Sequence, residues 1–373
     1  MSVTTRIVRA SAARRQYRAI RAMFKNAGFA VFLYAAWQRR RTLPGLIAYI
    51  LLWSLPQRIM ARLLGLCNAP KQLDTFTAAM IKGLNWVTEG PPADVYRSMY
   101  LHSYLDGMKA RWLGAKFSRV EPCDSWPVEG TWIAEEWQDI PWSSSADNMD
   151  DVIVFLFIHG GAYCFSTSEY GSPHNYELIK SFNERQRQAG HSKRMVAFSV
   201  EYPLAPKAQF PAQVYSAADA YRWLVTKLGV KNVIVGGDSA GAHCTIKLMN
   251  HIAESDELRG LGVWPLANML FSPWVDAADH WDPEQDAHDV ISTLGIRLAD
   301  KMVFGHTKHG RNDVLMIQPD DFKVASKGTL VMYGSSEILA HGIERYVGLL
   351  NQRTESVPGL QVVCFEGMPH CFK

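Results

Sequence analysis

The stretch NVIVGGDSAGAH, residues 232–243, runs an apolar strand pattern into Gly237-Asp238-Ser239-Ala240-Gly241 and then into a helical pattern. A serine with glycines two positions away on either side, at a strand-to-helix junction, is the nucleophile elbow G-x-S-x-G in the context that gives it meaning. The turn has to be sharp to lift Ser239 clear of the backbone, so Gly237 and Gly241 have to be small. The helix that follows aims its first N–H groups, that of Ala240 among them, at an oxygen that gains negative charge.

An elbow needs partners, and they can be sought at fixed places. The stretch FIHGGAYCF, residues 157–165, puts two glycines at the exit of the apolar run 152–156. Glycine reaches backbone angles that other residues avoid, and here it turns N–H groups toward the developing oxyanion. Gly160, Gly161 and Ala240 are the expected donors, with His159 holding the loop by hydrogen bonding. The serine also needs a base, itself oriented by an acid, in the chain order serine, acid, histidine. After the strand pattern GTLVMYG comes SSEILAHG with Glu337, and after the last strand pattern comes FEGMPHCF with His370. His341 is a weaker base, four residues from Glu337 at a helix start, and Glu344 is a weaker acid inside that helix.

The rest of the chain supports this arrangement. Strand patterns are expected at 131–135, 152–158, 195–201, 232–236, 266–271, 329–333 and 360–365, several of them almost wholly apolar, as strands covered on both faces are. Helical periodicity lies between them at 213–228, 240–252 and 339–352. Alternation of this kind predicts an α/β fold with a mostly parallel central sheet flanked by helices. Residues 1–125 carry helical patterns, notably at 12–24 and 94–113. Residues 274–325 break the rhythm and are expected to form a cap insertion with a short helix near 295–303. The expected division is an N-terminal region 1–125, a core in two parts at 126–273 and 326–373, and the cap between them.

Together these stretches resemble the hormone-sensitive-lipase-type branch of the α/β-hydrolase superfamily. His159-Gly160-Gly161-Ala162 is similar to that family's His-Gly-Gly-Gly loop, GDSAG at 237–241 matches its elbow, and EYPLAPKAQFPA at 201–212 and FSPWVD at 271–276 resemble two further motifs. The resemblance covers about residues 130–373 and implies a serine carboxylesterase or deacetylase that needs no cofactor and no metal. In it, Ser239 attacks an ester, His370 and Glu337 form the triad, and an acyl-enzyme is hydrolysed. Ala162 stands for the third glycine and keeps its N–H. Pro203 and Lys207 replace the family's arginine and glutamate, and Glu337 stands where aspartate is usual. Neutral His370 is required, so activity is expected to rise with pH through about 6 to 7.5. Another entering nucleophile would make an acyltransferase or cyclase acting on a hydrophobic natural product. A ligand-binding protein without chemistry is the reading from a different class.

Charge is unevenly spread. The 373 residues carry a net charge of +3, yet Met1 to Leu73 holds thirteen Lys or Arg and no Asp or Glu. Within it LPGLIAYILLWSLP, residues 43–56, is apolar but shorter than the ~20 residues a membrane-spanning helix needs. Flanked by Arg39, Arg40, Arg41, Arg58 and Arg62, it is expected to place residues 1–65 at a membrane surface. A cap helix over the substrate pocket and a cleaved targeting peptide are the other two readings. The architecture is loosely similar to membrane-anchored steryl acetyl hydrolases and arylacetamide-deacetylase-like enzymes. An intracellular location follows, at the endoplasmic reticulum or another membrane, or in the cytoplasm if the segment is only a cap.

Several signals are declined. The arginines accompany no base-reading module, so nucleic acid is not an expected partner, and no phosphate-cradling loop opens the first helix of the sheet. The six cysteines have no metal-binding spacing and read as reduced. The cluster Asp276, Asp279, His280, Asp282, Asp286, His288 and Asp289 matches no metal loop and is expected to be solvated or packed in the cap. The sequence leaves oligomeric state open.

Overall fold

The computed structural model describes residues 6–8, 92–141, 149–275, 289–304, 314 and 318–371, with backbone alone for 6–8 and 92–101. The apolar stretch 43–56, the helical pattern at 12–24 and the acidic segment 276–288 lie outside the described residues.

Nine described strands form one sheet. They are β1 (Arg6–Val8), β2 (Lys116–Val120), β3 (Gly130–Ala134), β4 (Val152–Ile158), β5 (Arg194–Val200), β6 (Asn232–Asp238), β7 (Ala267–Phe271), β8 (Gly328–Gly334) and β9 (Leu360–Phe365). Their order is β1-β9-β8-β7-β6-β4-β5-β3-β2. Every neighbouring pair from β1 to β5 is parallel, and β3 and β2 close the far edge antiparallel. Among the described helices, α1 (Pro92–Trp112) and α2 (Ser172–Gln188) lie together, with α2 against β5 and β3, while α3 (Ala212–Thr226) packs on α4 (Ala240–Glu254) and α4 covers β4, β6 and β7.

β4 shows why the central strands read as continuous apolar runs. All seven of its residues are buried, and parity sorts them between two cores. Val152, Val154, Leu156 and Ile158 join the larger cluster under α3 and α4. Ile153, Phe155 and Phe157 face Tyr176 and Ile179 of α2 in the smaller one. Side chains alternate faces along a strand, so a strand covered on both sides needs apolar residues at every position.

All seven expected strands are present within two residues at either end. Two more were not expected. β2 carries Lys116 and Arg119 and no buried residue, which gives an edge strand little apolar signal. β1 is three residues long and pairs Arg6–Val8 with Val363–Phe365 of β9, within a region expected to be helical. After α5 (Asp256–Gly260), the described part of the cap region holds α6 (Thr293–Phe304), close to the expected 295–303. α7 (Ala340–Asn351) follows β8.

Parallel strands all end on the same side, so the loops after β4, β6, β7, β8 and β9 converge at the carboxyl edge of the sheet. Gly160 and Gly161, Ser239, Glu337 and His370 all sit in the loops and turns at those strand ends.

Candidate active site

The elbow follows from close approach. An ideal Cβ on Gly241 would lie 1.9 Å from the Ile158 carbonyl oxygen, and one on Gly237 would lie 2.3 Å from the same atom. Both clashes are with backbone at the end of β4, which cannot rotate away. Between them Ser239 has φ 53° and ψ −119°, a left-handed conformation that costs an L-residue on the order of 1–3 kcal/mol and persists only where its surroundings hold it. They do: the Ser239 N–H donates to the Phe271 carbonyl at 2.8 Å, and its own carbonyl accepts from His243 and Trp274, each at 3.1 Å. The serine is thereby fixed at the N-terminus of α4.

The glycine doublet is explained differently at its two positions. Gly160 was expected to point its N–H at an oxyanion, but that N–H donates to Asp238 Oδ1 at 2.9 Å. Its missing side chain lets the strand end close on Asp238, whose Oδ2 would meet a Cβ at 2.6 Å. Gly161 has φ 104°, and Ala162 and Tyr163 follow at 51° and 60°. This left-handed run turns the backbone, and the N–H groups of Gly161 and Ala162 meet no acceptor among the described residues. Beside the Ala240 N–H at the helix start, they are the donors the geometry offers. Ala162, and not Gly160, is thus the residue beside Gly161 whose N–H meets no acceptor among the described residues.

The loop is braced from below. His159 is fully buried; burial pushes its pKa down, so the ring is neutral, with Nδ1 2.7 Å from the Gly160 carbonyl oxygen. It stacks on Tyr202 at 4.1 Å between ring centres, and Tyr202 donates its hydroxyl to the His159 carbonyl at 2.7 Å. The supporting part expected of His159 is therefore shared with Tyr202 of the EYPLAP stretch. Tyr163 Oη lies 2.7 Å from His243 Nδ1, latching the loop to the nucleophile helix.

The acid and base meet as the chain order predicts. His370 Nδ1 lies 2.7 Å from Glu337 Oε2, and both residues are buried. Glu337 Oε1 accepts the Gly334 N–H at 2.6 Å and the Ser272 hydroxyl at 3.2 Å, so the carboxylate is held from both ends. Ser272 Oγ accepts in turn from the Cys371 N–H at 3.2 Å. The Cys371 thiol reaches Asp238 Oδ2 at 3.6 Å, which puts the residue after the histidine against the residue before the serine. His341 and Glu344 are both exposed on α7 and take no part in this pair.

Burial acts against the imidazolium of His370, but the adjacent Cys371 sulfur and the bonded Glu337 carboxylate outweigh it and hold its pKa well above the usual value. The ascending limb of any activity that needs neutral His370 is therefore expected at higher pH than the sequence alone suggests. Replacing Glu337 by Gln removes the charge and offers Nδ1 an amide. The expected loss in kcat/KM is roughly 10³–10⁴-fold by comparison with triads elsewhere. Steady-state kinetics decide this, and a loss under tenfold would move the acid role away from Glu337.

Asp289, one of the cluster of residues expected to be solvated or packed in the cap, is wholly buried and bonded to the backbone of the histidine and acid loops. The other six members of that cluster lie outside the described residues. Among the described residues no group of three His, Cys, Asp or Glu side chains suits a metal ion, and the five described cysteines are free.

Comparison with known proteins agrees with the architecture. An esterase of Acinetobacter venetianus is 27% identical over 204 residues, covering 52% of this chain and 59% of its own length. Arylacetamide deacetylase of Rattus norvegicus is 30% identical over 146 residues, covering 37% and 34% respectively. The chain thus spans less than two thirds of either relative. The structure of an esterase from the bacterial hormone-sensitive lipase family superposes with a TM-score of 0.54 at 18% identity, over 78% of this chain and 89% of that one. That likeness is one of fold. A family model described as alpha/beta hydrolase fold matches residues 155–373, from the middle of β4 through the histidine loop. With the elbow, the glycine loop and the Glu337–His370 pair all inside that span, the chain belongs to the alpha/beta hydrolase fold family and carries the motifs of its hormone-sensitive-lipase-type branch.

Proposed function

We propose that this protein is a serine carboxylesterase or deacetylase acting on short-chain esters of a hydrophobic alcohol. The observation that carries the reading is the 2.7 Å pair of His370 with Glu337 tied through Cys371 and Asp238 to a serine at a strained elbow. His370 takes the Ser239 proton as the hydroxyl oxygen bonds to the ester carbonyl carbon. The carbonyl oxygen becomes an oxyanion facing the N–H groups of Gly161, Ala162 and Ala240. As the C–O bond to the alcohol breaks, His370 returns the proton to the leaving oxygen. Water then enters by the same route, with His370 as base, and releases the acid and Ser239.

A short acyl group is supported by the named arylacetamide deacetylase relative and by the aromatic wall beside the serine. Trp274, whose N–H bonds the Ser239 carbonyl, lies against Phe304 of α6 and near Tyr163. A membrane surface is part of the same proposal, supported by the acid-free, thirteen-cation stretch to Leu73.

The test is turnover of p-nitrophenyl acetate through p-nitrophenyl decanoate by the full chain, across pH 6 to 10, with and without anionic vesicles. Expected are serine-labelling by a fluorophosphonate at Ser239, turnover confined to the short chains, and an ascending limb above pH 6.5. Turnover rising with chain length would replace the deacetylase reading by a lipase-like one. Labelling at Ser239 without hydrolysis of any ester would favour the acyltransferase or cyclase.

A further inference from the structure

Asp289 is a buried ionisable group that the proposed chemistry does not use. It precedes α6 in sequence and bonds the loops that carry the acid and the histidine. Its Oδ1 accepts the His370 N–H at 2.7 Å and the Val290 N–H at 2.7 Å, and its Oδ2 accepts the Ile338 N–H at 2.6 Å. One carboxylate therefore joins three segments: the residue that would act as base, the residue after the acid, and the return of the cap into the core. These contacts span 81 and 49 positions of chain, and no local turn needs them.

We propose that Asp289 is a positioning residue for the acyl-transfer chemistry, clasping the histidine loop to the acid loop so that the His370 ring is held in register with Ser239. The proposal rests on the hydrolase reading above. A buried carboxylate is costly unless fully hydrogen-bonded; here both oxygens accept backbone N–H groups, whereas a neutral amide offers one oxygen and an NH2 donor. The carboxylate also adds charge beside His370. The titratable groups that act on Asp289 are His370, from the loop after β9, and Glu337, from the loop after β8. Burial pushes the Asp289 carboxyl up to about 7, with Glu337 adding to the rise and His370 and the backbone donors opposing it. The clasp is ionised at and above the pH where neutral His370 works, and is neutralised in more acidic solution.

Two measurements test this. In Asp289→Asn the side chain keeps its volume, loses its charge and points an amide N–H at a backbone donor. The expected result on p-nitrophenyl acetate is a kcat lowered about 10–100-fold, as a small misplacement of a reacting group produces. KM should stay within about twofold, because nothing that grips substrate has changed, and the acid limb of kcat/KM should move about one unit to lower pH, because a negative charge beside His370 is gone. A lower kcat with an unmoved acid limb would mean a purely structural role and would overturn the proposal, as would wild-type kinetics.

The second measurement uses the unaltered chain and needs no turnover. The His370 Nδ1 proton, in its short bond to Glu337, is followed by NMR through a pH titration. Two inflections are expected, one for the ring and one near 7 for Asp289. A single inflection would overturn the proposal even if the variant failed to fold. If Asp289 titrates in this way but the wild type neither labels at Ser239 nor turns over any acyl compound, the hydrolase reading fails and the clasp stands as geometry.

Discussion

Ser239→Ala is expected to lower kcat/KM for p-nitrophenyl acetate by roughly 10⁴–10⁶-fold, the range in which loss of a triad serine falls, while the protein unfolds at the same denaturant concentration as wild type. The two halves of this prediction have separate causes. The bonds that hold residue 239 in its left-handed turn run through its backbone N–H and carbonyl, to Phe271, His243 and Trp274. Alanine keeps all of them and meets the same backbone strain as serine. Only the hydroxyl is lost, and with it the atom that becomes acylated. Ester turnover by the alanine variant within tenfold of wild type would remove Ser239 from the chemistry. A large loss of stability would mean that the hydroxyl also holds the elbow together.

Gly241→Ala is expected to damage the fold itself, by about 4 kcal/mol or more in chemical denaturation, and to abolish fluorophosphonate labelling at Ser239. A single methyl group is sufficient because the Cβ would sit 1.9 Å from the Ile158 carbonyl oxygen and 2.6 Å from that of His159. Relief requires α4 to move away from β4, and that shift would carry Ser239 off the donors of the glycine loop. Gly348→Ala is the control. It lies inside α7 with nothing within 4 Å of the new Cβ, so it should be neutral or stabilise by up to about 1 kcal/mol through helix propensity. Equal behaviour of the two variants would refute the close-approach account of the elbow.

The core strands were legible for a reason specific to their place. β4, β5 and β6 sit mid-sheet, and burial on both faces forces apolar residues into unbroken runs such as Val152–Ile158. β2 was missed because an edge strand needs only half of that pattern, and β1 because three residues carry no periodicity. Within the site, Glu337 and His370 could be placed because each follows a strand pattern by a few residues, and strand ends are where parallel sheets collect their chemistry. Ser272 and Tyr202 lay in stretches already singled out, FSPWVD and EYPLAP, yet nothing local shows that the Ser272 hydroxyl would meet Glu337 or that Tyr202 would stack on His159.

The amino-acid sequence by itself determined the parts whose causes are local. It set a serine that must turn sharply between two glycines, a glycine pair at a strand exit, an acid and a histidine in order, and the two-period and 3.6-period patterns that make the sheet and its helices. Tertiary structure alone decided which donors and acceptors those parts face. The Gly160 N–H is taken by Asp238 across 78 residues, leaving those of Gly161 and Ala162 without an acceptor among the described residues, and Asp289 is buried with its carboxylate on the His370 N–H. A backbone turn is dictated by the residues that make it, whereas a hydrogen bond between loops depends on how the whole sheet brings their ends together.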